Sequence, residues 1–318
     1  MDSIACADSD PLLLQSSAGW ASDAADLRQQ LTAYLGPAGA GVELVCTENN
    51  SDSGAQGRQS TSLVNGLYYA DSLAQLMKTE FNGFIWWDLR NGSDTSGSFD
   101  PTLYGWRTVG DLGVIGGLTG RYPAFYAAKL MHYFARPGDA ILEASSDYKL
   151  LSVYAARRAD GALLCLVLNK DTLASFNAQI GLAGFIPDSG AMVRSYGIPQ
   201  DTAAQTGLGS PDIAQTSFAS AGTDFAWTFA PLSMTLFTLA PTAPRLAVVT
   251  PAPQAGGPLL VELHGQPGTT YVIQTSTNLA AWTSVSTNAL GTNNTLVLTR
   301  PVPAASGQTF WRALWPGQ

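Results

Sequence analysis

The amino-acid sequence predicts a multidomain chain of mixed class, α/β at its start and all-β from its middle to its end. Three observations carry that expectation. Over the first 135 residues, apolar positions at helical spacing alternate with short, mostly apolar runs of strand character. At Arg136-Pro137-Gly138-Asp139 the apolar period drops from about 3.6 to about 2. From Pro241 to Pro253 a Pro-rich linker sets off a last module holding four charged residues, Arg245, Glu262, Arg300 and Arg312. The boundaries are therefore drawn at 1–135, 136–240 and 241–318, and a length of 318 residues fits two or three domains.

Ser22 is placed to cap a helix whose apolar positions Ala24, Leu27, Leu31 and Leu35 recur at helical spacing, and Gly36-Pro37 stops it. The run from Val42 to Thr47 reads as a short strand, apolar in the manner of a parallel strand covered on both faces. It delivers Glu48-Asn49-Asn50 at its carboxyl end. After a Gly- and Ser-rich loop, Leu63, Leu67, Ala70, Ala74 and Met77 mark a second helix, and Phe84 to Trp87 a second buried strand that ends at Asp88. This β-α-β unit should be right-handed. A long loop spans 90–121, and Pro123 opens an aromatic, Ala-rich helix that runs to Phe134. Seven short strands are then expected at 141–144, 150–156, 163–168, 176–180, 192–196, 225–229 and 234–239, which suits an antiparallel β-sandwich. The small C-terminal β module reads as further strands at 259–263, 271–275, 282–286, 296–298 and 310–314, with no helix.

Composition removes several function classes. A formal net charge of −8 argues against a nucleic-acid partner. With 46% hydrophobic residues the chain can build packed cores, and no apolar run reaches the roughly 18 residues of a membrane helix. Only 13% of residues are charged, so the surface draws its polarity from Ser, Thr, Asn and Gln, which suits a secreted protein. Cys6, Cys46 and Cys165 form neither a disulfide framework nor a metal-ligand spacing, and His132 and His264 do not make a zinc site, so no metal and no cofactor is expected. His132, near Tyr126 and Tyr133, reads as a packing histidine. Met1 to Asp8 lacks the basic and apolar regions of a secretory signal, which leaves a cytoplasmic protein or a start other than the natural one.

The informative constellation is Thr47-Glu48-Asn49-Asn50 at the end of one strand and Trp86-Trp87-Asp88-Leu89-Arg90-Asn91-Gly92 at the end of the next. Carboxyl ends of parallel strands share one face, so both acids would line one cleft. A carboxylate set among Trp and Asn side chains has the make-up of a glycosidase nucleophile, with aromatic faces packing on sugar C–H surfaces. The plainer reading is that Glu48 closes a loop. Cys46, inside a strand, reads as a small hydrophobe.

Those residues, with Gly57 to Tyr68 and Leu103-Tyr104-Gly105-Trp106-Arg107, resemble bacterial α-L-arabinofuranosidase-like glycoside hydrolases. These belong to the retaining clan whose (β/α)8 barrel carries its two catalytic carboxylates at the ends of strands four and seven. The resemblance spans residues 20–240 and implies a partial (β/α) barrel followed by the antiparallel sandwich. It implies that Glu48 matches the nucleophile, that Trp86 to Asp88 is strand eight, and that the location is extracellular or periplasmic. Asn49, Asn50, Trp86, Trp87, Arg90, Tyr104 and Trp106 become the expected carbohydrate-binding residues. The segments Tyr271 to Leu279 and Trp282-Thr283 are similar to small β modules of secreted bacterial proteins.

The sequence departs from the family in length and in one motif. A complete barrel takes about 250 residues, whereas 135 precede the sandwich, and no Asn-Glu dipeptide is present to supply the family's general acid/base. Retaining chemistry places a second carboxyl about 5 to 5.5 Å from the nucleophile. Asp88, Asp94, Asp100 and Asp111 lie in the right region, and Asp88 is the best placed, unless it only orients Arg90 or a loop amide. The expected function is hydrolysis of glycosidic bonds in plant-type poly- or oligosaccharides. Two alternatives stand beside it: a non-catalytic carbohydrate-binding or scaffold fragment, and a hydrolase acting on activated esters. An incomplete parallel sheet exposes its edges, so a homodimer through the first 130 residues is expected.

Overall fold

The computed structural model describes residues 9–52, 58–95, 107–219, 221–249, 256–301 and 308–315. The chain is mixed α/β, and most of its strands are antiparallel. It opens with helices α1 (Asp10–Ser16) and α2 (Trp20–Leu35), joined by a 3-10 turn at Ser17–Gly19. Strand β1 (Leu44–Asn49) and strand β2 (Phe81–Trp86) pair in parallel across helix α3 (Leu63–Leu76), and helix α4 (Pro123–Phe134) follows. Ser62 caps α3 by accepting from the Asn65 N–H, and Pro123 sits at the first turn of α4, where its missing N–H costs nothing. The two helices touch at Gly66, where a Cβ would come 2.9 Å from the Pro123 backbone.

Eleven further strands and a helix come before the last three strands. They are β3 (Ala140–Leu142), β4 (Leu151–Arg157), β5 (Leu163–Asn169), β6 (Phe176–Gly181), β7 (Pro187–Gly197), α5 (Ile198–Thr206), β8 (Ala214–Phe218), β9 (Asp224–Phe229), β10 (Ser233–Pro241), β11 (Arg245–Val248), β12 (Pro258–His264) and β13 (Thr270–Ser276). The chain ends with β14 (Thr283–Ala289), β15 (Thr295–Pro301) and β16 (Phe310–Leu314).

The middle of the molecule is a six-stranded antiparallel sheet in the order β3-β4-β5-β10-β7-β8. Its two faces bury different partners. Tyr154, Ala156, Leu164, Leu166, Leu168 and Leu236 pack on α3 and α4. Cys165, Val167 and Phe237 pack instead under the two-stranded β6–β9 sheet, against Phe225 and Phe229. Strand β5 is buried at every position, which explains why Leu163 to Leu168 is an unbroken apolar run.

The last module holds two three-stranded sheets, β11-β12-β15 and β14-β13-β16, around Leu263, Tyr271, Ile273 and Leu290. Buried Gln266 ties it to the six-stranded sheet. Its Oε1 accepts from the Ile186 N–H at 2.8 Å and its Nε2 donates to the Ile186 carbonyl at 2.5 Å. The Trp315 ring also covers Gly161, leaving 2.0 Å for a Cβ, so that turn accepts no side chain.

Several sequence expectations need correction. Helix α2 starts at Trp20, and Ser22 lies inside it, bonded to the Gly19 carbonyl, without capping it. Strand β1 runs from Leu44 to Asn49, so Glu48 is inside the strand and not after it. Its expected double coverage is also wrong: Val45 is 42% exposed and Ile85 53%. Helices α1 and α5 and strands β8 and β11 were not expected, and β11 falls within the Pro-rich linker. His132 is exposed on α4, not packed in a core.

Asp71 of α3 is the buried joint of this assembly. Its Oδ1 accepts from the Tyr154 hydroxyl at 2.5 Å, and its Oδ2 accepts from Lys170 Nζ at 3.0 Å and from the Ser17 hydroxyl. Burial and then Asp71 itself push the Tyr154 phenol up, so it donates and does not ionise. A buried carboxylate deprived of its partners is costly, and so is a buried ammonium. Asp71→Asn should therefore lower stability by about 3–5 kcal/mol, while Ser17→Ala should cost about 1 kcal/mol. Urea unfolding with an unchanged slope measures both; near-neutral behaviour of Asp71→Asn would remove the joint.

Candidate active site

The site is built where β1 and β2 end together. From Cys46 to Asn49, β1 advances three residues while β2 advances two, from Phe84 to Trp86. One extra residue is thus accommodated on β1, a bulge that re-aims side chains. Its effect is visible in burial: Cys46 is buried towards the helix side, Thr47 and Glu48 are both exposed, and Asn49 returns to the helix side. Ile85, opposite the bulge, is exposed as well.

Asn49 and Asn50 anchor the bulge. Asn49 Oδ1 accepts from the Tyr68 hydroxyl of α3 at 3.0 Å, and its carbonyl accepts from the Trp87 N–H at 3.0 Å. Asn50 Nδ2 donates to the Trp87 carbonyl and, at 2.9 Å, to the Leu112 carbonyl. Its Oδ1 accepts from the Ser51 N–H at 2.7 Å and from Asn65 Nδ2 at 3.2 Å. Asn65 Nδ2 also donates to the Ser60 carbonyl at 2.6 Å. The Asn50 side chain is thus bonded into the frame on both its oxygen and its nitrogen, whereas Asn49 keeps a buried Nδ2 without a hydrogen-bond partner.

Trp86 and Trp87 face opposite ways, as adjacent strand residues must. Trp86 packs at 4.8 Å on Tyr69 and 6.1 Å on Tyr68, ring centroid to ring centroid. Trp87 is 46% exposed on the same open side as Val45 and Ile85, and Leu89 beyond it is 68% exposed. The Trp87–Asp88 peptide is cis. Arg90 is exposed. Tyr104, Trp106 and Asp100 lie outside the described residues. Arg107 is turned away into a largely buried ion pair with Asp201 of α5 at 2.6 Å.

Asp88 leads into a loop stitched by backbone bonds: its N–H donates to the Leu112 carbonyl, and its carbonyl accepts from the Val114 N–H, both at 3.0 Å. Its Oδ1 is buried without a hydrogen-bond partner. Burial first, and the Asp111 carboxylate second, hold the Asp88 carboxyl above the usual carboxylate range. Asp111 is fully enclosed. Its Oδ1 accepts from the Gly113 and Gly92 N–H groups at 2.9 and 3.3 Å, its Oδ2 from the Tyr122 hydroxyl at 3.2 Å, and its own N–H donates to Ser60 Oγ at 3.0 Å. Burial and Asp111 push the Tyr122 phenol up to about 12. Asp94 sits on this loop through a two-way backbone bridge with Gly110.

Ser60, Asn65, Tyr68 and Tyr122 were not singled out by sequence reasoning. The available signal was polar side chains on the buried side of an apolar helix, since Asn65 and Asp71 interrupt the α3 stripe. Among the described residues no group of three His, Cys, Asp or Glu side chains is placed to hold a metal. Cys46 is buried, and burial pushes its thiol up, away from a nucleophile's range.

Asp88 gives a pH test with a definite sign. Its proton is held more tightly in the folded than in the unfolded chain. The linked stability is therefore complete below the ordinary carboxylate value and falls as pH rises through the raised folded value. Asp88→Asn carries no such loss, so its melting temperature relative to wild type should rise by a few degrees from acid to neutral pH. A difference that stays constant with pH in thermal melts would show that Asp88 titrates normally.

No family model and no curated protein matches the chain. The solved structures it resembles are glycoside hydrolases. A bifunctional glucanase-xylanase from a metagenome library matches with a TM-score of 0.45 and 20% identity over 68% of this chain and 34% of its own. The α-L-arabinofuranosidase of Thermotoga maritima matches with a TM-score of 0.47 and 14% identity over 70% of this chain and 49% of its own. A family 30 endoxylanase from Clostridium papyrosolvens matches with a TM-score of 0.42 and 16% identity over 63% and 42%. The chain thus spans between about a third and a half of the length of these enzymes.

Proposed function

We propose that this chain carries the nucleophile side of a retaining, arabinofuranosidase-like glycoside hydrolase, with β1, α3, β2 and α4 as a partial (β/α) barrel and the strands after it as a β-sandwich. The observation that carries the reading is the extra residue in β1, at which Glu48 stands exposed where β1 and β2 end together. Glu48 is followed by two asparagines that bond this strand end to α3, β2 and the Leu112 loop, and Trp87 stands half-exposed at the end of β2. In this reading Glu48 attacks the anomeric carbon, and the leaving oxygen takes a proton from a second carboxyl. The Trp87 face packs on the sugar ring. Asp88, held above the usual carboxylate range, is the acid available within this chain. Plant-type oligosaccharides are the proposed substrates.

A panel of nitrophenyl glycosides tests this directly. Glu48→Gln should bring activity to background with an unchanged melting temperature, because the Glu48 side chain is exposed and the amide cannot act as nucleophile. Retained turnover would remove Glu48 from the mechanism. The tryptophans should split. Trp86→Ala should cost about 3 kcal/mol of stability through its lost contacts with Tyr68 and Tyr69. Trp87→Ala should stay within about 0.5 kcal/mol of wild type and weaken substrate binding. Equal stability losses with unchanged binding would sink the sugar-facing role.

The open strip of Val45 and Ile85, beside the Trp87 face left to the sugar, also needs cover in solution, since parallel strands are stable when both faces are packed. We propose that a second copy of the chain covers it as a symmetric dimer. Light scattering should then give twice the 33.4 kDa chain mass, falling to the monomer for Ile85→Asp. A wild-type monomer would exclude this pairing.

A further inference from the structure

On the far side of the six-stranded sheet from the helices lies a cavity of about 670 Å³, well within the size range of small-molecule sites. It arises from a mismatch of sheet widths. The two-stranded β6–β9 sheet packs mainly over β10 and β7, through Phe225 and Trp227 on Phe237, and leaves the β4–β5 side partly uncovered. The floor is set by strand alternation. Leu151, Val153, Ala155 and Arg157 of β4 point into the cavity beside Leu163, Cys165 and Val167 of β5, while Tyr154 and Ala156 turn to the helices. The facing wall is Ala178 and Ile180 of β6, with Phe185 at one end.

Two properties select the ligand. The β5 half of the floor cannot hydrogen-bond, although Arg157, Gln179, Ser145 and Ser146 also line the cavity. Strand β5 is paired on both sides, with β4 and with β10, so its backbone groups are taken, and its inward side chains are aliphatic apart from Cys165. Burial pushes that thiol up to about 12, leaving it protonated and inert. Sugar hydroxyls laid there would go unpaired. The slot is also long and charged differently at its two ends. The six residue steps from Leu151 to Arg157 span about 20 Å at about 3.3 Å each. At one end the Arg157 guanidinium lies 5.7 Å over the Phe185 ring and, among the described residues, makes no ion pair. Asp147, on the segment whose Tyr148 carbonyl accepts from the Leu151 N–H, stands exposed at the other end.

We propose that this cavity binds an acyl carboxylate, its hydrocarbon chain extended along β4 and β5 and its carboxylate on Arg157. The polarity follows from the charges: a carboxylate at the Leu151 end would meet Asp147 and lie far from Arg157. The site is separate from Glu48 and does not depend on the hydrolase reading.

Isothermal titration of the full chain with sodium laurate, below its micelle concentration, tests the site. One laurate per chain is expected. Arg157→Gln should weaken it about tenfold or more, the loss of one charge-assisted pairing, and dodecanol should bind wild type correspondingly more weakly. Ala155→Phe and Ala178→Phe fill the slot from its floor and from its wall, so whichever folds with a wild-type melting temperature should lose binding. Ile85→Asp, on the other exposed apolar strip, should bind as wild type does. Absence of saturable binding, undiminished affinity in a folded slot-filling variant, or loss of binding in Ile85→Asp would each overturn the proposal.

Discussion

The position of everything else in this chain depends on a buried carboxylate. Asp71 sits at the point where three segments of distant sequence meet: the turn after α1, the middle of α3, and the β4–β5 side of the six-stranded sheet. Apolar packing of α3 on that sheet supplies most of the attraction, but it is non-directional and tolerates sliding. A carboxylate that must receive a lysine ammonium and two hydroxyls tolerates little, because displacement leaves charges buried and unpaired. The same helix reaches the site: Asn65 and Tyr68, six and three residues before Asp71, bond Asn50 and Asn49. The geometry around Glu48 is thus fixed from behind by a helix whose register is set in the core.

In front of the site the physics is reversed. The helix side of β1 and β2 is a dense set of aromatic contacts among Trp20, Tyr69, Phe81, Phe84 and Trp86. The opposite side carries Val45, Ile85 and Trp87, each about half exposed. An apolar strip beside an acid is poorly suited to bulk water and well suited to a ring that presents C–H on one face and hydroxyls at its edge. Asn50 makes that side rigid, since it holds the carbonyls of both Trp87 and Leu112 and so joins β2 to the loop that contains Asp111.

Much of this was legible in the sequence because periodicity reports burial. Helices α3 and α4 keep an apolar stripe, and β4, β5, β10, β12 and β13 keep alternation or an unbroken apolar run. The elements that escaped lack such a stripe. Helix α5 (Ile198–Thr206) buries Asp201 and Ala203 and is held by Gln200 reaching back to the Gly197 N–H and by Arg107 on Asp201. Strand β8 is a polar edge strand paired only with β7, and β11 is a short edge strand beside β12, inside a run of prolines. The β1 bulge was invisible for another reason: it is a property of pairing between two strands, and no single strand's pattern encodes it. Likewise Asp111 was one acid among four until the fold brought Ser60, Gly92, Gly113 and Tyr122 around it.

The two carboxyl groups at the strand ends end up in unlike surroundings, and that difference matters more than their nearness in sequence to aromatic residues. Glu48 stands in solvent near the end of β1. Asp88 is half-buried, has one oxygen without a donor, and lies near an Asp111 that is itself committed to two amides and a phenol. A nucleophile must be charged and an acid must keep its proton, so a retaining site needs its two carboxyls driven apart by environment. Here burial comes first and Asp111 second in holding the Asp88 proton, the Asp111 oxygens being bonded to the Gly113 and Gly92 amides and the Tyr122 phenol. If Asp88 serves as the proposed acid, its proton is held by its own burial and, after that, by the neighbouring Asp111 carboxylate.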